Sequence, residues 1–234
     1  MIRLLSIAMI TAVVSLVVPH AAAAGVSPFD PGIGGGRALP SIEKASGGEQ
    51  LRLPTNVQNL DTGELFTTIQ AAIDDADTDA GDVLELQVAS HSEGQVTVSK
   101  AVTIQGGVGG ATILATTNTG TSGDARGWFL MSVAGVTFDN LAFDGNGYNI
   151  VQGLRFLEDG AVTDCSFNDI IAPGYNGLAV VGFKNLTVSD CTFTNIGRIG
   201  VILYGTGVTA GLVERIDYTG QGDGDWLDYG IELG

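Results

Sequence analysis

The sequence predicts an all-β fold, a parallel β-helix solenoid opened by one short amphipathic capping helix. The first observation behind it is a repeat. FDNLAFDG from Phe138, VTDCSFNDI from Val162, VSDCTFTNI from Val188 and VERIDYTG from Val213 align without gaps. Their columns Phe138/Val162/Val188/Val213, Leu141/Cys165/Cys191/Ile216 and Phe143/Phe167/Phe193/Tyr218 recur at spacings of 24, 26 and 25 residues. A second series interleaves with them: Gly153-Leu-Arg-Phe, Gly177-Leu-Ala-Val, Gly200-Val-Ile-Leu and Gly230-Ile-Glu-Leu, spaced 24, 23 and 30 residues apart. Each period therefore holds at least two short strands at fixed phase. A helical repeat would instead show apolar spacings of three and four over ten or more residues. The second observation is composition. The 234 residues include 35 Gly and only 6 Pro, with 44% hydrophobic and 15% charged side chains. That Gly usage, roughly twice the ordinary level, suits many bends. The low charge suits repeats that largely face inward.

The elements follow in chain order. Residues 1–24 read as a signal peptide: Arg3 supplies the positive start, Leu4 to Val18 the apolar run, and Ala22-Ala23-Ala24 the small-residue cleavage site. The apolar run is shorter than the about 20 residues a spanning helix needs, and nothing later resembles a membrane span. Residues 25–60, with Pro, Gly and Ser but no sustained periodicity, read as a flexible leader. The domain then runs over 61–234. In FTTIQAAIDDADTDAG, Thr67 and Gln70 form a capping box, and Ile69, Ala72, Ile73 and Ala76 share one helical face. Gly81 fits the helix stop or the turn just after it. The helix is placed to cover the first open strand edge. VLELQV and QVTV follow as strands, and the repeats occupy the rest. The final YGIELG opens a fresh copy of the Gly-Ile/Leu strand, so further coils beyond residue 234 are expected.

The stretch FTTIQAAID…GDVLELQV…EGQVTVSKAVTIQGG, followed by the repeats, resembles the right-handed parallel β-helix proteins of the pectate-lyase-like superfamily. The resemblance covers about residues 66–234. It implies a right-handed coil and a polysaccharide-related activity: lyase, glycoside hydrolase, esterase or epimerase on acidic polysaccharide. The chain departs from the pattern in having Ala89-Ser90-His91-Ser92 before Glu93. It also lacks the Gly-His-Gly, Arg-x-Pro-x-x-Arg and Asp-Pro-His signatures of those enzymes. No catalytic residue carries over, so catalysis stays open.

Net charge −16 and a pI near 4.1 argue against nucleic acid and anionic lipid as partners. Arg155, Lys184, Arg198 and Arg215 are the basic candidates on the coils. Arg155 is expected to point outward beside Ala179, Ile202 and Glu232, which form no convergent site. For metal, Asp223, Asp225 and Asp228 in GQGDGDWLDYG offer hard oxygen ligands suited to Ca²⁺, against a solvated acidic turn. Cys165 and Cys191 stack one period apart, either bridged or as two buried thiols in a core column. The aromatic column reads as core stacking. Asn185-Leu-Thr187 matches a glycosylation sequon. Two functions remain: an exported, carbohydrate-associated or scaffolding β-helix, or the N-terminal part of a polysaccharide lyase or epimerase.

Overall fold

Strands β1 (Val57–Asn59) and β2 (Leu65–Phe66) form an antiparallel hairpin, followed by helix α1 (Ile69–Asp74). These and the elements below come from a computed structural model that describes residues 55–174, 176–221 and 228–234. Two units divide the chain, Met1–Glu49 and Gln50–Gly234; the described residues belong to the second. The leading residues 1–54, with the predicted signal peptide, lie outside the described residues. β1 occupies positions that the sequence assigns to the leader.

After α1 come β3 (Val83–Leu86), β4 (Ser90–Glu93), β5 (Val96–Val98), β6 (Thr103–Gly106) and β7 (Ala111–Ala115). A 3-10 turn, Gly123–Arg126, leads into β8 (Gly127–Met131), β9 (Val136–Asp139) and β10 (Leu141–Asp144). The remaining strands are β11 (Gln152–Phe156), β12 (Gly160–Thr163), β13 (Ser166–Asn168), β14 (Leu178–Gly182), β15 (Leu186–Ile196), β16 (Ile199–Leu203), β17 (Leu212–Gly220) and β18 (Tyr229–Leu233). The fold is all-β with mostly parallel sheets.

There are two sheets among the described residues. The smaller has six strands in the order β18-β16-β14-β11-β8-β5, all parallel. The larger has twelve strands and two arms. One arm runs β2-β1-β3-β6-β9-β12 and the other β4-β7-β10-β13. Both end on β15, whose first half pairs with β12 and second half with β13. β17 pairs with the far side of β15 along its length. Each repeat thus contributes one strand to the smaller sheet and one to each arm of the larger.

The inward columns are those read from the sequence. Val162 pairs with Phe138 and Val188, and Val188 with Val213. Phe167 pairs with Phe143 and Phe193, and Phe193 with Tyr218. The rings of Phe143, Phe167 and Phe193 stack with centroids 5.1 Å apart. Register carries this column back through Ile113 to His91. Between the arms, Asn140, Asp164, Asp190 and Arg215 stand at φ of +54°, +49°, +56° and +51°. Asn and Asp tolerate this left-handed conformation better than other non-glycine residues, and Arg215 adopts it at the equivalent position of the next repeat.

Two local expectations are corrected. The helix N-cap is Thr68, not Thr67: it is extended at φ −140°, and its hydroxyl accepts from Ala71 N at 3.1 Å. Gln70 does not reach back but bonds β5, accepting from Thr97 N at 2.8 Å. The helix stops at Asp74, so Ile69, Ala72 and Ile73 are buried while Ala76 is exposed. In the smaller sheet, the Gly177 segment is out of register by two residues. Leu154 pairs with Val180 and Val180 with Val201, so Ala179 occupies the column of Gly153, Gly200 and Gly230. A Cβ on Gly153 would lie 2.6 Å from the Ala179 carbonyl oxygen. Gly177 instead makes a turn at φ +95°. No helix among the described residues is long and apolar enough to cross a membrane.

Candidate functional site

The outer face of the smaller sheet brings Arg126 and Arg155 near Phe183 and Tyr204. Of the six Lys and Arg among the described residues, five lie in its strands or within two residues of their ends, one of them Lys100, which follows β5 and donates to Asp75 O. Arg126 directly precedes β8, Arg155 lies in β11, Lys184 follows β14 and Arg198 directly precedes β16. The register correction decides what surrounds Arg155. Its column is Leu130, Arg155, Val181, Ile202 and Glu232, not one containing Ala179.

Arg155 is buried, and each of its three guanidinium nitrogens donates a hydrogen bond. Nη1 donates to Gln152 Oε1 at 3.0 Å, while Nε and Nη2 donate to Asp124 Oδ1 at 3.2 and 3.1 Å. Its central carbon lies 4.5 Å from the centre of the Phe183 ring, a cation–π contact. Phe183 meets the half-exposed Tyr204 edge to face, centroids 5.7 Å apart. Arg126, Gln152, Leu178, Val181, Phe183, Ile202 and Tyr204 enclose a shallow hollow of about 210 Å³. A second hollow, about 200 Å³, lies beside it among Gln95, Thr97, Asp124 and Leu130. Sequence spacing could not reveal this convergence, because Asp124 reaches Arg155 from a separate turn 31 residues away. Arg198 lies apart, with Nη2 3.7 Å from Glu232 Oε2.

Another hollow, about 530 Å³, lies along the bend of the larger sheet. Asn140, Asp164 and Asp190 line one side and Thr112, Ala142, Ser166 and Thr192 the other. Arg215 donates to both oxygens of Asp190, from Nε at 2.6 Å and Nη2 at 2.7 Å. That hydrogen bonding holds the Asp190 carboxyl below the usual carboxylate range. Arg215 is thereby a partner within its own column rather than a free cation.

The metal candidates are only partly in view. Asp223 and Asp225 lie outside the described residues, and the Asp228 carboxylate accepts a hydrogen bond from the Tyr218 hydroxyl. A cluster not singled out in the sequence, Glu64, Asp75 and Asp77, has carboxylate oxygens within 4.8 Å of one another. Hard oxygens so placed could hold a divalent cation, though exposed acidic groups often gather without one. Its members come from the β2 hairpin and the turn after α1, so it has no local motif.

Cys165 and Cys191 are free, buried thiols in adjacent repeats. Each donates to its own strand, Cys165 to Thr163 O and Cys191 to Ser189 O, both at 3.1 Å. Burial pushes the Cys165 thiol strongly up and the Cys191 thiol up to about 11. Protonated thiols of this kind are poor nucleophiles and poor metal ligands.

His91 and Glu93 form a buried polar pair, His91 Nε2 lying 2.9 Å from Glu93 Oε2. The same oxygen accepts from Ile69 N at 2.7 Å, so the pair holds the start of α1. No family model matches this chain, and neither a curated protein nor a solved structure matches it.

Proposed function

We propose that the chain is an exported right-handed parallel β-helix that binds acidic polysaccharide through the outer face of its smaller sheet. Parallel pairing of equivalent strands from successive repeats supports the coil, and the apolar N-terminal run supports export. The observation that carries the binding reading is the Arg155–Phe183–Tyr204 shelf with Arg126 and Gln152 at its rim. Guanidinium groups match carboxylate geometry. An exposed aromatic ring offers an apolar surface to the C–H face of a sugar ring. The net charge of −16 opposes a polyanion at long range. Screening over about 8 Å at physiological ionic strength leaves the local cations to govern contact. The groups on this shelf are those of recognition: cations, an amide and aromatic rings.

Affinity electrophoresis of the full chain through gels containing polygalacturonate tests the reading. Retardation is expected, weakening with salt and with Tyr204→Ala or Arg126→Gln, and none is expected in neutral dextran. Equal mobility in all gels would overturn it.

A further inference from the structure

The guanidinium best placed to meet a glycan carboxylate is already occupied. Arg155 is buried, its side chain 8% exposed, whereas Asp124 on the other half of the pair is 56% exposed. The two hydrogen bonds that Arg155 makes to Asp124 both fall on its single oxygen Oδ1. This is a looser grip than the two-oxygen fork an arginine makes with an ideally placed carboxylate.

The turn that carries Asp124 is fastened through other residues. Gly120 N and Gln95 Nε2 each donate to Ala125 O at 2.7 Å, and Gln95 Nε2 also donates to Gly127 O at 2.8 Å. Arg126 Nε donates to Gly123 O at 3.2 Å. Among the described residues, Arg155 is the side chain that holds the Asp124 carboxylate. Asp124 can therefore rotate away without dismantling the turn. Its position also divides the face: Asp124 borders the hollow at Thr97 and Leu130, and Arg155 stands between Leu130 and Val181 of the neighbouring strands.

We infer that Asp124 is a tethered anion that occupies Arg155 in the resting chain and gives it up to the carboxylate of a bound glycan. Rotation of Asp124 uncovers the guanidinium and joins the two hollows into one cleft running across the strands. The inference rests on reading this face as the glycan site. It adds that affinity there is held down by an internal competitor. Only binding and side-chain rotation are involved, with no covalent step.

Isothermal titration of the full chain with trigalacturonate tests it, with thermal melting to verify that each variant is folded. Asp124→Asn is expected to bind about fivefold tighter, the factor that follows from removing a competing ion pair worth about 1 kcal/mol. Arg155→Gln is expected to bind more weakly than the parent, and Asp124→Asn in that background to give no gain. Arg155→Lys provides the cationic comparison should Arg155→Gln not fold. In the parent, the Arg155 Nε–H resonance is expected to move on titration as the guanidinium changes partner. If parent and Asp124→Asn bind equally, the competitor is refuted while the glycan site stands. If Asp124→Asn binds and the parent does not, the competitor is upheld. If neither binds, both fall.

Discussion

The ring of Phe167 lies parallel to that of Phe193, 5.1 Å between centroids and 5° between planes, and both are almost completely removed from solvent. Identical residues at equivalent positions of successive repeats stack because parallel strands bring them to about the same separation, 4.8 Å. Phe167 has Phe143 on its other side at 5.1 Å, so it is flanked by rings above and below. Phe167→Ala should cost about 3–5 kcal/mol in denaturant unfolding. Tyr218→Ala, at a half-buried position of the same column, should cost clearly less. Equal losses would mean that the column is not the core of the larger sheet.

The bends between the arms place a backbone demand on exposed positions. Asp164 sits at φ +49° with its side chain exposed. A valine there crowds its own backbone, at a cost of about 2 kcal/mol. Asp164→Asn and Asp164→Gly should stay within about 0.5 kcal/mol of the parent, because both tolerate the conformation. Chemical denaturation of the three variants separates this from a side-chain role, which would make glycine as harmful as valine.

Glu93 ties α1 to the rest of the fold. Its buried carboxylate accepts from both Ile69 N and His91 Nε2. Glu93→Ala leaves those donors without a partner in a dry site, at a cost of about 3 kcal/mol. Glu93→Gln retains an acceptor oxygen and should lose less. Amide exchange over Ile69–Asp74 should rise more in the alanine variant than in the rest of the domain. Uniform change across the domain would count against the anchoring role.

Alkali should weaken the fold in a defined window. The Cys191 thiol is raised by burial from 9.0 to about 11. The folded chain therefore keeps a proton that the unfolded chain releases. Its contribution is complete below about pH 9 and is lost as pH rises towards about 11. Burial, followed by the hydrogen bond to Asp228, raises the Tyr218 hydroxyl, which acts in the same direction. The expected loss from Cys191 is on the order of 2 kcal/mol. Comparing urea midpoints of parent and Cys191→Val between pH 8 and pH 11 tests the assignment. Cys191→Val should show a shallower decline, and parallel declines would remove Cys191 from the account.

The larger sheet was legible because its inward side chains must match from repeat to repeat, and residue identity survives that matching. The left-handed bends at Asn140, Asp164 and Asp190 were less legible, because Arg215 holds the same conformation in the next repeat and residue type alone does not mark it. The smaller sheet was misread at Gly177 because glycine serves two purposes there. In Gly153 and Gly200 it makes room for a neighbouring carbonyl, whereas in Gly177 it turns the chain. The environment of Arg155 was hidden for a different reason. Asp124, Gln152 and Phe183 come from three separate segments, joined only by the pairing of β8, β11 and β14. Among the proposed calcium ligands, Asp223 and Asp225 fall outside the described residues, and the carboxylate of Asp228 serves a tyrosine.

The two sheets keep different time along the chain. Successive partners in the larger sheet, such as Phe143, Phe167, Phe193 and Tyr218, are separated by 24, 26 and 25 residues. In the smaller sheet, Leu154, Val180, Val201 and Ile231 are separated by 26, 21 and 30. The connecting segments absorb the difference, and the columns hold their register apart from a shift between Thr194 and Ile196 where β15 meets β17. A foreign peptide spliced into such a connection would ride as a passenger, held at a fixed height without disturbing the framework that carries it.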